Sequence, residues 1–408
     1  MHDMEAQMGA SALNNEPLAI ALKTHTGLCP RGSHRCRVLV LGVNPFEDLP
    51  GYQLLGILSQ FRDVETFAAE DSPEGAEILR QTGVRMFQIP QPHLGVEAYL
   101  SAIHDVCERL SIDVVLPSTD AHLAALTGAP PSTQSLWPPL KWLASRGLIN
   151  KWAGQSWVSR VAPTPSRWTI EGDEGLDTWE SQHAYPVMVK GMRKGALRCA
   201  DRSDFIAAQR TILSNPANRG PGGGFFIEDV ASGTEHSVLL VTDEHGRAQS
   251  VVALRKLATT QLGTTLVAQT ESVSELPFDI EEVAIQLGTA GVVELEFRNN
   301  ESNDELLVFE ANFRFPSWIG ALGKYGQTVV HRYLTTLGVL DGPSDDTAVP
   351  DVGTLIYRLP ESGFLPLSGT LGGSYASHAA RHLQVLNEGS RSPRLLWRSR
   401  EPHQFLQK

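Results

Sequence analysis

Cysteine is scarce in this sequence. Only Cys29, Cys36, Cys107 and Cys199 occur, and no two form a CxxC pair. That usage argues against a disulfide framework and predicts a reduced, cytoplasmic protein. Cys29 and Cys36 with His25 and His34 can be drawn as a metal site, but their spacing fits no usual zinc pattern. Long apolar runs are missing too: none approaches the ~18 residues that a membrane helix needs. The opening Met1-His2-Asp3-Met4-Glu5 lacks the basic flank and apolar core of a secretory signal. Positive charge is in deficit, with 34 Lys and Arg against 46 Asp and Glu and a formal net charge of −12. A general nucleic-acid binder needs a basic surface, so that class is excluded. GxGxxG is also absent. The first predicted strand runs into Gly42-Val43-Asn44-Pro45-Phe46, which disfavours a nicotinamide enzyme built on that strand.

What is present is enough apolar residue for real cores, 41% of 408 positions, on a length that suits two to four domains. Residues 1–36 read as a leader, with one short strand around 18–22. From there strands and helices alternate. Strands are expected at 37–43, 64–68, 84–89 and 112–117, and helices at 51–61, 72–81 and 96–110. That order predicts a doubly wound parallel sheet over 37–126. Asp120 follows the last of these strands. Ligands of open α/β sheets bind beyond strand C-termini, so it can touch substrate; the favoured reading is a cap on the helix at 121–126. Residues 127–139, rich in Pro, Ser and Thr, read as a linker, and 140–161 as one helix containing Lys151.

The rest of the chain carries charge at strand ends. Tyr185-Pro186-Val187-Met188-Val189 is a strand that ends on Lys190 and leads into a glycine-bearing loop. Such a loop suits a phosphate chain, because backbone N–H groups can approach it closely. An exposed lysine at a strand end is the plainer reading. Phe225-Phe226-Ile227-Glu228-Asp229 is another strand, followed by a turn at Gly233, Glu235, and strands at 237–242 and 249–257, the last bearing Arg255 and Lys256. Residues 292–298 alternate strictly, with Val293, Leu295 and Phe297 on one face and Glu294, Glu296 and Arg298 on the other. A polar link then leads to a strand at 306–309, and Glu310, Asn312 and Arg314 share a face beyond it. If the two strands pair antiparallel, Glu296 lies near Glu310. Carboxylate and amide oxygens can hold a hard cation such as Mg²⁺, and a guanidinium can clamp a carboxylate or phosphoryl group. Either strand alone also fits a half-solvated edge.

The order of these pieces over 37–335 resembles the ATP-grasp superfamily of ligases. The resemblance implies an α/β and α+β chain: an N-terminal doubly wound parallel-sheet domain (37–126), a linker (127–139), an ATP-grasp domain (140–335) and a small β-rich C-terminal cap (336–408). It implies that Lys151 and Lys190 bind nucleotide. Glu228, Asp229 and Ala231 would line the adenine hinge, Glu235 would read the ribose, and Arg255 and Lys256 would balance phosphate charge. Glu296, Glu310 and Asn312 resemble the metal ligands, and Arg314 completes a Glu-x-Asn-x-Arg pattern similar to the carboxylase and carbamoyl-phosphate-synthase branch. The implied activity is ADP-forming carboxylate–amine ligation through an acyl phosphate, with ATP and two Mg²⁺ ions, Mn²⁺ being admitted as a substitute. Lys190 and Arg314 would be catalytic. The implied partners are a small carboxylate and an amine, amino acid or peptide, with no nucleic acid or membrane and with room for a homodimer. The loop after Lys190 is shorter and poorer in glycine than in many members; Arg193, Lys194 and Arg198 offer compensating charge. The alternative reading is a catalytically inactive nucleotide-binding regulatory module.

Overall fold

The computed structural model describes residues 35–44, 50–73, 75–76, 84–129, 137, 139–148, 150–170, 172–219, 223–259, 263–300, 305–340 and 351–357. The expected leader before residue 35, most of the helix expected at 72–81, the loop at 301–304 and everything after 357 lie outside the described residues. No helix among the described residues is long and apolar enough to cross a membrane. Cys36, Cys107 and Cys199 are buried.

The N-terminal unit is the expected parallel sheet. Strands β1 (Cys36–Leu41), β2 (Val64–Glu70), β3 (Arg85–Gln88) and β4 (Val114–Pro117) stand in the order β3-β2-β1-β4. Helices α1 (Pro50–Leu58) and α2 (Val96–Leu110) connect strands, and α2 buries Tyr99, Ile103, Val106 and Cys107 along one stripe, as helical spacing requires. The chain winds outward from β1 to β3 and then returns to the far side of β1, so the direction reverses between β1 and β4. Beyond the carboxyl ends of those two strands lies the crevice where open sheets bind ligands. Helix α3 (Asp120–Leu126) starts there. Its cap is not the expected Asp120: Thr119, in an extended conformation, accepts from His122 N–H at 3.2 Å, and Asp120 is the first helical residue. A hydroxyl one residue earlier satisfies the free amide, which leaves the Asp120 carboxylate for other partners.

The single helix expected over 140–161 is two helices, α4 (Pro139–Arg146) and α5 (Lys151–Val158). Gly147 takes φ +65, and the Asn150 side chain accepts from Ala153 N–H at 2.8 Å, so one residue ends a helix and the next cap begins another. Lys151 therefore sits at a helix start, and its N–H donates to Met192 O at 2.8 Å in the loop after Lys190. Strands β5 (Arg167–Trp168), β6 (Val187–Gly191), β7 (Ala196–Cys199) and β8 (Phe225–Asp229) form an antiparallel sheet in the order β5-β8-β6-β7. Helices α6 (Gly172–Glu180) and α7 (Arg202–Ser214) accompany it. Leu176, Trp179, Val187, Val189, Phe205, Ile212 and Ile227 make a separate small core for this lobe. Burying each such side chain is worth about 1.5–3 kcal/mol.

The third sheet has six strands: β9 (Thr234–Thr242), β10 (Ala248–Thr259), β11 (Thr265–Glu271), β12 (Gly291–Asn300), β13 (Glu305–Asn312) and β14 (Leu355–Tyr357), in the order β13-β12-β9-β10-β11-β14. Val293, Leu295 and Phe297 of β12 enter the main core, the outcome their alternation predicts. Helices α8 (Ile280–Leu287) and α9 (Lys324–Thr336) pack on β9 and β10. Strand β9 starts at Thr234, earlier than expected, and so takes Glu235 into the ladder. Gly233 makes this possible: it has φ +102, and a Cβ there would lie 2.2 Å from Asn299 O. Strand β14 is an edge of this sheet, paired with β11.

Candidate active site

The polar face of the six-stranded sheet and the inner end of the small sheet meet around β13. Strands β12 and β13 pair antiparallel, with Glu296 opposite Glu310 and Glu294 opposite Asn312. The register shifts after Glu296, because Phe297 pairs with Val308, so Phe309 bulges out of the ladder. Its carbonyl is thereby released to accept from Lys190 Nζ at 2.9 Å and from Gln155 Nε2. One bulge thus ties the small sheet, helix α5 and the large sheet together. The Phe309 ring also lies 5.0 Å from Lys190 Nζ, a cation–π contact.

Three buried or half-buried lysines each meet a carboxylate. Lys190 on β6 pairs with Glu228 on β8 at 2.5 Å, and Gln155 Nε2 donates to the same carboxylate. Lys151 pairs with Glu310 at 3.1 Å. Lys256 on β10 lies 2.8 Å from Glu235 and 2.7 Å from Glu296, with its side chain 1% exposed. Arg298 takes the other oxygen of Glu235 at 2.7 Å. Burial pushes the Glu228 carboxyl up, against the pull of Lys190. Burial likewise lifts Glu296 to about 7, outweighing Lys256, with Glu294 and Glu310 adding repulsion. Burial also acts on Glu310, but Lys151, Lys190 and Arg314 overcome it and hold that carboxyl at about 2. Two carboxylates directly opposite one another are thus driven apart in proton affinity, a pattern that marks functional sites.

Arg314 closes the other end. Its Nη2 donates to Asn312 Oδ1 at 3.3 Å, and it lies 3.5 Å from Asp120 and 3.9 Å from Glu294. Glu294 is a fully engaged buried carboxylate: Ser237 Oγ and Trp318 Nε1 each donate to it at 2.9 Å, and Asn312 Nδ2 at 3.2 Å. Burial works against the Arg314 charge, but Asp120 and Glu294 more than offset it and raise its proton affinity. Burial opposes the Lys151 charge in the same way, and Glu310 and Asp120 outweigh it.

Of the residues singled out in the sequence, the structure brings together Lys151, Lys190, Glu228, Glu235, Lys256, Glu296, Glu310, Asn312 and Arg314. Asp229 ends β8, and Ala231 is buried in the link to β9. Arg255 does not join the group. It alternates away from Lys256 on β10, donates to Gln269 Oε1 at 2.5 Å and lies 3.9 Å from Glu271. Gln155, Glu294 and Asp120 are partners that sequence reasoning left unassigned to this cluster. Gln155 was detectable one helical turn beyond Lys151, and Glu294 through its place on the charged face of β12. The oxygen donors Glu296, Glu310 and Asn312 fit a hard divalent cation in chemistry, although Lys256, Lys151 and Arg314 contact them in this structure.

No protein-family model matches the sequence, and no curated protein matches it. Solved structures do resemble it. The biotin carboxylase domain of a 2-oxoglutarate carboxylase from Hydrogenobacter thermophilus, in complex with MgADP and bicarbonate, superposes with a TM-score of 0.55 at 14% identity, covering 79% of this chain and 74% of that one. Carboxyaminoimidazole ribonucleotide synthase from Aspergillus clavatus, complexed with ATP, gives 0.52 at 14% identity over 74% and 77% of the two chains. N5-carboxyaminoimidazole ribonucleotide synthetase from Thermus thermophilus gives 0.50 at 18% identity over 73% and 78%.

Proposed function

We propose that this chain, whose fold is the ATP-grasp fold shared with those carboxylases and synthetases, is an ADP-forming carboxylate–amine ligase. A substrate carboxylate would attack the γ-phosphate of ATP to give an acyl phosphate and ADP, and an amine would then displace phosphate. The observation that carries this reading is the convergence of Lys151, Lys190, Lys256 and Arg314 with Glu296, Glu310 and Asn312 between two sheets. Phosphoryl transfer needs mainly positioning and charge neutralisation, and this cluster supplies both.

Lys190, anchored by Glu228 and by the Phe309 carbonyl, would hold a phosphate oxygen at a fixed point. Lys151 would approach the phosphate chain from the start of α5. Glu228 and Asp229 at the end of β8, with Ala231 in the link to β9, would receive the base, and Glu235 would face the ribose. Glu296, Glu310 and Asn312 would hold Mg²⁺, which when bound screens the phosphate charge and orients the triphosphate. Arg314, the planar fork of the set, would hold the substrate carboxylate and steady the charge that develops on it. Measuring ADP release from MgATP across a panel of carboxylates, each with and without amines, tests the reading. ADP release that needs both an acid and an amine is expected. Tight ATP binding with no acid-dependent turnover would leave a nucleotide-binding module instead.

A further inference from the structure

Among the described residues, Asp120 at the start of α3 is the one carboxylate that the N-terminal unit contributes to the cluster. It lies at the reversal point between β1 and β4, and Thr119 has relieved it of the capping role. It lines a small cleft of about 20 Å³ with Leu123, Leu148, Asn150, Lys151, Ala311 and Phe313. Leu123, Leu148, Ala311 and Phe313 are buried apolar side chains. One end of this cleft is thus charged, by Asp120 and Lys151, and its wall is apolar.

The charges around Arg314 do not suit a bare anion. One guanidinium faces two carboxylates, Asp120 at 3.5 Å and Glu294 at 3.9 Å. Its other contacts, Asn312 Oδ1 and Phe315 O, are both at 3.3 Å. None of these is a close two-pronged pair, so the fork keeps capacity for a further acceptor. A carboxylate that arrived alone would displace Asp120 from its cation and leave it beside a new negative charge. A ligand that carries its own ammonium removes that conflict, because the ammonium replaces the guanidinium as the partner of Asp120.

Resting on the ligase reading above, we infer that Asp120 is a specificity-determining residue that binds the ammonium of a zwitterionic substrate. The acid that is activated is an α-amino acid. Its carboxylate goes to Arg314 and its ammonium to Asp120. Bicarbonate and simple monocarboxylates fit this subsite poorly.

Matched pairs provide the test. ADP release is measured with leucine, valine, phenylalanine and methionine, each against the analogue that lacks the amino group, and against bicarbonate, in wild type and in Asp120→Asn. In wild type at least one amino acid is expected to exceed its analogue by about 10- to 100-fold in kcat/KM, as for one charged hydrogen bond. In Asp120→Asn that ratio falls to near one, mostly through KM, while MgATP affinity is unchanged; Asp120→Glu restores part of it. A wild type that prefers the deaminated acids or bicarbonate, or an Asp120→Asn variant that keeps the ratio, overturns the assignment and leaves the ligase reading intact. Absence of ATP binding overturns both. Should Asp120→Asn fail to fold, the wild-type ratios decide alone.

Discussion

The two large sheets handle polarity in opposite ways. In the parallel sheet Val38–Leu41 and Val114–Leu116 are buried, the ion pairs of Arg37 and Arg85 with Glu65 stay partly exposed, and the buried polar side chains Glu70 and Ser118 stand at the carboxyl ends beside Asp120. In the six-stranded sheet Glu294, Glu296 and Arg298 alternate with apolar residues along β12, and carboxylates extend across β9, β12 and β13. A buried carboxylate without a partner is costly, so this face exists only because Lys151, Lys256, Arg298 and Arg314 answer it. The first sheet is held by packing and confines its chemistry to an edge. The second carries chemistry across its width and depends for its stability on the same pairs that would handle the substrate.

Breaking the most deeply buried pair should have the largest effect. Lys190→Met leaves Glu228 without its cation at a site where the two side chains are 4% and 1% exposed. A stability loss of about 3–5 kcal/mol is expected, read as a lower urea midpoint, together with loss of ATP binding. Adding Glu228→Gln should recover much of the stability but not the binding. Recovery of both would make the pair purely structural.

Next come Arg314→Lys and Glu310→Gln. Lysine keeps the charge but loses the planar fork. Arg314→Lys should slow ligation about 10²–10³-fold, ~2.7–4 kcal/mol, while leaving the Mg²⁺ requirement nearly unchanged. Glu310→Gln should raise that requirement directly. Equal shifts in a Mg²⁺ titration of the two variants would put Arg314 in the metal–phosphate shell and end the division of roles.

The parallel sheet has its own test in Glu70. Burial lifts its carboxyl from the usual 4.5 to about 7, although Val43 and Ser72 N–H groups donate to it. A raised folded-state value means the fold favours the protonated form. The contribution is complete below about pH 4.5 and is lost as pH rises to about 7. Wild type should therefore lose on the order of 1–3 kcal/mol from this group across that interval, and Glu70→Gln should flatten the decline. A decline of equal slope in both proteins would assign the pH dependence elsewhere. The smallest effect belongs to Arg255→Ala. Its side chain is 41% exposed and points away from the cluster, so the cost should be about 0–1 kcal/mol with ATP affinity unchanged. A large loss of ATP affinity would return Arg255 to the phosphate-binding set.

Much of this contrast was legible in the residues. Alternation in β12 and β13 located the charged face, and antiparallel pairing put Glu296 opposite Glu310 as expected. Unbroken apolar runs ending near Gly42 and Pro117 gave the parallel sheet. The Phe309 bulge was not legible, since no glycine or proline marks it and its reason is the contact of its carbonyl with Lys190 and Gln155, residues far away in sequence. The break between α4 and α5 was missed because apolar bulk, Trp142, Leu148, Trp152 and Trp157, continues on both sides of Gly147 and Asn150. Thr119 and Asp120 are both good caps, and only the fold, by bringing Arg314 close to Asp120, chooses between them. The β-rich cap expected over 336–408 lies outside the described residues except for α9's last residue, the turn after it and the β14 region.

Activation of a carboxylate by phosphoryl transfer on the charged face can be trapped with hydroxylamine. Hydroxylamine intercepts an acyl phosphate as a stable hydroxamate. Wild-type protein is incubated with ATP, Mg²⁺, an apolar amino acid and hydroxylamine, and ADP and hydroxamate are measured together. Equal amounts of both are expected, with loss of both in Lys190→Met. ADP formation without hydroxamate, or hydroxamate that persists in Lys190→Met, would contradict activation by this route.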